Sequence, residues 1–248
     1  MCPTKCARLV VPASGVLAAV RPGSVRGGGR ERQRTGAATA LVFSVRWAVG
    51  MCRLHRSSTL TVPRLVVVEA NTVLRARVIA EERLGSLAAR WAHVRGVAAA
   101  TKLMAAGLAA IDADAVVAAA WLHDVGYAPS VRSTSFHPVD GAVFVRAEGF
   151  PAVVVSLVAY HTGAAFEARE RGLSDALAEF PEPPELLLGV LTCADMTTGP
   201  DGSFVRAEDR VSEILSRYPE DDPVHRAIER SAPTLLAAVA RVDALVAG

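Results

Sequence analysis

Disulfides are the first thing this sequence lacks. Of its four cysteines, Cys2, Cys6 and Cys52 fall in the N-terminal quarter, and Cys193 alone in the main body cannot staple a domain. That excludes a disulfide scaffold and points to a reducing, cytoplasmic setting. Cys2 and Cys6 do not make a metal site either, since nothing nearby supplies a third and fourth ligand. A long hydrophobic run is also missing. The most apolar long window, 97–122, is broken by Lys102, Asp112 and Asp114, short of the roughly 20 clean residues a bilayer span needs. A strong net charge is absent too. The formal value is +2, and it is uneven: Lys and Arg crowd residues 1–65, where Glu31 is the one acid, so the rest of the chain is net acidic. Such a main body suits a soluble enzyme rather than a partner of nucleic acid or membrane. No stretch alternates polar and apolar residues as a half-buried strand does.

The N-terminal quarter has little with which to build a core. Lys5 and Arg8 precede an apolar stretch as in a short signal peptide, but Pro12 interrupts it and the cleavage-site pattern is poor, so secretion is not expected. Residues 21–34 contain Gly27, Gly28 and Gly29 and no large apolar residue beyond Val25, too little to offset ordering entropy. Residues 1–67 are therefore expected to be a disordered basic extension, a solvated tail or sequence upstream of a start at Met51, rather than an RNA- or membrane-binding arm.

What is present is helical periodicity, from Glu69 onward, and it predicts an all-α helical bundle over 68–248. One helix is expected over 75–92, with a second or its continuation reaching Ala106 before Gly107. A third spans 113–124, N-capped by Asp112. A Ser-, Pro- and Arg-rich loop precedes His137-Pro138, which opens a fourth helix to Glu148, stopped by Gly149. Further helices are expected over 152–161, 166–180, 185–196, 203–218 and 223–246, and the apolar faces of the last two make a homodimer plausible.

The chemistry sits where apolar helices end. Residues 115–122 read as a buried helix that terminates in His123-Asp124, with Gly126 as its stop signal. Adjacent helical residues point about 100° apart, so this doublet can serve one site only at a helix terminus. Asp195 repeats the arrangement after the apolar run 186–194. A bare carboxylate buried at such a position costs several kcal/mol, of order, unless a cation or several donors meet it. His93, His137 and His161 stand near ends of other predicted helices. Imidazoles and carboxylates from separate bundle helices are how metals are held in helical cores, and this O/N set suits divalent iron, manganese, cobalt or zinc more than calcium. Among the remaining candidates, Trp91 and Trp121 read as core, Cys193 as packing rather than a nucleophile, His55 and His225 as structural or exposed, and Lys102 and Arg146 as solvated.

His93, His123-Asp124 and Asp195 together resemble the His, His-Asp, Asp signature of the HD superfamily of metal-dependent phosphohydrolases, over roughly residues 75–200. Within it, Arg90-Trp91-Ala92-His93, His137-Pro138-Val139-Asp140-Gly141-Ala142 and Tyr160-His161-Thr162-Gly163 are most similar to segments of the bacterial symmetrical diadenosine tetraphosphate hydrolases. The departures are a longer stretch between His161 and Asp195 and the segment Met196-Thr-Thr-Gly-Pro-Asp201 after the final acid. Tyr127-Ala-Pro129 is not the contiguous Gly-Tyr-Pro of cyclic dinucleotide phosphodiesterases. The resemblance implies an HD-domain bundle with two divalent ions, iron, manganese or cobalt ahead of zinc or magnesium. His93, His123, Asp124 and Asp195 would hold the first, and His137 and His161 the second, with Asp124 bridging.

Two such cations acidify a bridging water to hydroxide and clamp phosphate oxygens, which gives hydrolysis of a phosphoester or phosphoanhydride in a nucleotide-like small molecule. The residues expected to act are Asp124, His123 and Arg90, with Arg90, Arg132 and Thr162 contacting substrate. Arg90 lies three residues before His93, on nearly the same helical face; its alternative is a surface pair with Glu81 or Glu82. Arg132 belongs to a loop that could close on substrate. Thr162 either contacts phosphate or caps its own helix. Rival functions are a di-iron redox enzyme on the same scaffold and a non-catalytic nucleotide-binding module, the latter at odds with a complete ligand set.

Overall fold

The structure is a computed structural model that describes residues 65–246, all within one compact unit spanning Ser58–Gly248. The expected extension over 1–67, with Cys2, Cys6, Cys52 and His55, lies outside the described residues except for its last three positions. Ten α-helices follow in order among the described residues: α1 (Leu65–Leu84), α2 (Ala88–Met104), α3 (Ala110–Leu122), α4 (His137–Ala147), α5 (Ala152–Tyr160), α6 (Ala164–Arg171), α7 (Ser174–Ala178), α8 (Glu185–Met196), α9 (Ala207–Arg217) and α10 (Pro223–Val246). The all-α expectation holds: among the described residues the one β feature is an isolated bridge between Thr198 and Phe204. None of the described helices is long and apolar enough to cross a membrane.

The two apolar helices that end in acids are the inner ones. Helix α3 packs against α1, α2, α5 and α8, and α8 against α2, α3, α5, α9 and α10. Residues 115–120 of α3 and Leu122 are all buried, and the alanines among them let neighbours approach closely. Leu122, Leu157, Leu191 and Met196 are among the largest fully buried side chains. Burial of a leucine contributes about 1.5–3 kcal/mol, so this contact of α3, α5 and α8 anchors the ends that carry His123, His161 and Asp195.

Several boundaries differ from those expected. α1 begins at Leu65 and stops at Leu84, so the helix expected over 75–92 is two helices with a turn at Gly85, whose N–H returns to Glu81 O at 2.9 Å. Asp112 is not an N-cap. It lies inside the first turn of α3, where its charge still favours the helix dipole. The polar stretch 166–180 is broken into α6 and α7 by Gly172 at φ +67°. The apolar face of α10, one of the two that suggested a homodimer, packs within the chain against α6, α8 and α9. Trp91 and Trp121 pack on each other with ring centroids 5.8 Å apart, as core-side residues. Cys193 is buried, and burial pushes its thiol up to about 12, so it packs rather than reacts.

Gly126 does more than end a helix. Its φ is not left-handed; α3 ends at Leu122 and a 3₁₀ turn over Val125–Tyr127 follows. A Cβ at this position would meet His137 O at 2.1 Å. The glycine is therefore required because the start of α4 crosses the turn in direct backbone contact, and that crossing brings His137 to Asp124. Gly126→Ala is expected to cost about 3 kcal/mol or more through overpacking, read as a lowered urea midpoint, and to displace His137. An unchanged midpoint would mean that the two backbones are not in contact.

Candidate metal centre

Three of the four histidines of the cluster are oriented by a main-chain carbonyl. His123 Nδ1 donates to Ala120 O at 2.8 Å, His161 Nδ1 to Val158 O at 2.7 Å, and His93 Nδ1 to Gly199 O at 3.1 Å. A carbonyl only accepts, so Nδ1 carries the proton and Nε2 presents a lone pair to the interior, the arrangement typical of metal-bound histidines. For His123 and His161 the acceptor is three residues back, available because the imidazole stands where its helix ends. For His93 it comes from the turn after α8. That turn reaches α2 because Gly96 and Gly202 lack side chains: a Cβ on Gly96 would sit 2.6 Å from Gly202 O.

The donors converge in two groups. In one, ligand atoms of His93, His123 and Asp195 lie within 4.8 Å of each other, and in the other those of Asp124, His137 and His161 do. Asp124 faces both: Oδ2 is 3.4 Å from His123 Nε2, and Oδ1 is 3.5 Å from His137 Nε2. His93 Nε2 lies 2.9 Å from Asp195 Oδ1, and His137 Nε2 lies 3.1 Å from His161 Nε2. All six residues expected as ligands are thus brought together, five from helix ends between α3 and α8 and His93, contrary to expectation, from within α2.

Electrostatics favour ionised acids and two neutral imidazoles. Burial alone would raise Asp124, but Arg90 and His123 outweigh it and hold the carboxyl well below its usual range. Burial is likewise overcome at Asp195, chiefly by its bond to His93, so this acid also falls well below the ordinary carboxylate value. Burial lowers His137 and His161, leaving them neutral. At His123 burial is outweighed by the Asp124 charge, which lifts the imidazole to about 9. Yet His123 Nε2 is buried with no hydrogen-bond partner. An orphan of this kind costs about 1–3 kcal/mol. A divalent cation would take the place of the proton and satisfy that lone pair. The His137–His161 pair is compatible with the same role, since His161 Nε2 presents a lone pair and a neutral His137 either donates its Nε2 proton to it or, as the other tautomer, offers a second lone pair to a cation. The residues therefore fit bound metal.

The other expected site residues separate. Arg90 does not pair with Glu81 or Glu82; Nη1 meets Asp124 Oδ2 at 2.6 Å, and its guanidinium lies 3.9 Å from the Tyr127 ring centroid. Thr162 does not cap its own helix. It donates to Asp195 Oδ2 from a left-handed backbone at φ +43°, a strained geometry for threonine. Arg132 is exposed, has no side-chain partner among the described residues and does not line the cavity over the cluster.

Sequence reasoning missed three contributors. Tyr127 stacks on His137 at 4.1 Å. Buried Asp140 accepts from Ser133 N, Thr134 N and Thr134 Oγ1 at 2.8–2.9 Å, closing the loop that leads into His137. Helix α9 supplies Arg210, Ile214 and Arg217 to the lining. Asp140 carried a signal, three residues after a candidate ligand at the start of a helix; α9 carried none.

The family model described as HD domain matches residues 90–199. The matched stretch is similar to HD domains. It runs from Arg90 to Gly199 and so contains all six converging donors and both residues that fix the acids. HD domains are generally metal-dependent hydrolases. No curated protein and no solved structure gives a match to this chain.

The geometry predicts that Asp124→Ala strips bound divalent metal from the protein entirely, whereas His137→Ala keeps one equivalent. Elemental analysis after manganese loading checks this, and two equivalents in the His137 variant would refute the division into two groups.

Proposed function

We propose that this chain is a metal-dependent phosphohydrolase that cleaves a phosphoester or phosphoanhydride of a nucleotide-like substrate. The observation that carries this reading is the convergence of six donors, five of them buried, with His123 Nε2 left without a partner. His93, His123 and Asp195 would hold one divalent ion and Asp124, His137 and His161 another, with Asp124 facing both. When bound, such ions supply Lewis acidity that acidifies water and neutralises phosphate oxygens.

The chain's own residues position these groups. Arg90 fixes the Asp124 carboxylate and balances its charge; Thr162 fixes Asp195; Tyr127 holds the plane of His137 by stacking. The cavity over the cluster is about 90 Å³, whereas pockets for whole drug-sized ligands run to roughly 300–1,000 Å³. Its size suits a phosphoryl group, with the rest of the substrate leaving through the mouth beside α9. Within this reading, the segments 90–93, 137–142 and 160–163 that resemble symmetrical diadenosine tetraphosphate hydrolases make dinucleoside polyphosphates the first substrates to try, and iron, manganese or cobalt the first metals.

The test is phosphate or nucleotide release from nucleotides, dinucleoside polyphosphates and simple phosphoesters by protein loaded separately with manganese, iron and cobalt. Release by iron-loaded protein without oxygen is expected and separates hydrolysis from O₂ chemistry. Arg90→Gln and Thr162→Val, which act through Asp124 and Asp195, are expected to lower kcat/KM by about 10–100-fold. No release from any substrate with any metal would sink the proposal.

A further inference from the structure

Helix α9 breaks a rule of amphipathic helices. Positions 210, 214 and 217 share one helical face, and these residues, with Tyr218 just beyond the helix, line the cavity over the metal-ligand cluster. Two of them are arginines, where inward positions are ordinarily apolar. The Arg210 side chain is only 9 % exposed. A guanidinium this buried needs an acid, and the one it has lies on its own helix: Arg210 Nη1 meets Glu213 Oε2 at 2.5 Å. Arg217 bonds the same acid, its Nε 3.0 Å from Glu213 Oε1.

These bonds tie α9 to nothing else. Elsewhere arginines join elements, as Arg226 and Arg230 of α10 do by clasping Glu170 of α6. Arg210 and Arg217 have no such tertiary partner among the described residues, so fold stability does not explain the inward position of either. Among the described residues Arg210 uses one of the five donors a guanidinium carries.

The other charges on the lining are already met. Arg90 is bound to Asp124, and Glu167 is paired with Arg171 Nε at 2.6 Å. Neither Arg210 nor Arg217 bonds any of the six candidate ligands. They are the cations left for an anion that enters the cavity away from the metal-facing atoms, and planar guanidiniums match phosphate with two parallel bonds.

We propose that Arg210 and Arg217 form an anion subsite on α9 that binds a second phosphate of the substrate, with Glu213 holding both guanidiniums in place until that phosphate displaces it. This rests on the phosphohydrolase reading of the metal end and narrows the substrate class: it is a molecule with at least two anionic groups, a polyphosphate chain rather than a lone monoester.

The test uses full-length protein and has two arms. In the first, calorimetry measures inorganic pyrophosphate binding to metal-free protein. Arg217→Gln, partly exposed and tolerant of change, is expected to weaken binding about tenfold, the loss of one charge-assisted contact, and Glu213→Gln to tighten it. Arg206→Gln removes the same charge from the exposed start of α9 and is expected to leave binding unchanged. In the second arm, with manganese, Arg217→Gln is expected to raise KM for tripolyphosphate with kcat retained and to leave KM for p-nitrophenyl phosphate unaltered.

The proposal is overturned if wild-type protein does not bind pyrophosphate, if Arg217→Gln binds it as tightly as wild type, or if Arg206→Gln weakens it equally. Arg217-dependent pyrophosphate binding in a protein that hydrolyses no phosphate compound would keep the subsite and remove the hydrolytic reading.

Discussion

Two carboxylates at the inner ends of apolar helices are the constraint on which the rest of this structure depends. Asp124 and Asp195 retain only 3 % and 8 % exposure, and an uncompensated ion at that depth costs several kcal/mol, of order, even after relaxation. The compensation is local. Arg90 meets Asp124, His93 and Thr162 meet Asp195, and three further imidazoles close around them. Because the same atoms also attract divalent cations, what relieves the burial of the acids is what makes the place chemically useful.

Precision comes from the backbone. Three imidazoles are aimed by main-chain carbonyls rather than by other side chains, so their directions follow from where helices α3 and α5 stop and where the 199–202 turn crosses α2. Close backbone contacts at Gly96 and Gly126 make those crossings possible, and the left-handed Thr162 stores strain that the packed surroundings of α5 and α8 must hold. Rigid elements supply the ligands, while the helix that lines the mouth, α9, is fastened less firmly: its arginines bond within it and only Ala207, Arg210 and Val211 are buried. Under the proposed function, a rigid end for metal and a more loosely attached end for substrate would suit a site that must fix reacting atoms yet admit a larger molecule.

Much of this was legible in order along the chain. The bounds of α8 and α10 and the first residues of α4 and α5 follow from proline and glycine punctuation and from hydrophobic periodicity, which are local signals. The six converging donors were legible because buried helices that end in acids violate the hydrophobic pattern, and a violation has to be explained. The break at Gly85 was not, since one glycine between two helical stretches permits either a continuous helix or a turn. Arg90 was placed on the right face, but its partner was not, because Asp124 lies 34 positions away.

The sequence by itself determined that the chain is all-α, that apolar helices terminate in reactive groups, and which imidazoles and acids are candidates to act together; these are properties of composition and period, carried by each helix separately. Only the tertiary structure decided the distances at which those groups meet, that Arg90 holds Asp124, and that Thr162 holds Asp195. It also decided that a polar helix more than ten residues beyond the last candidate ligand lays two arginines over the cavity. The physical reason is range. Helical propensity and amphipathicity act within a few residues, whereas a salt bridge or a shared cavity depends on which helix ends meet, and that is set by packing of the whole core.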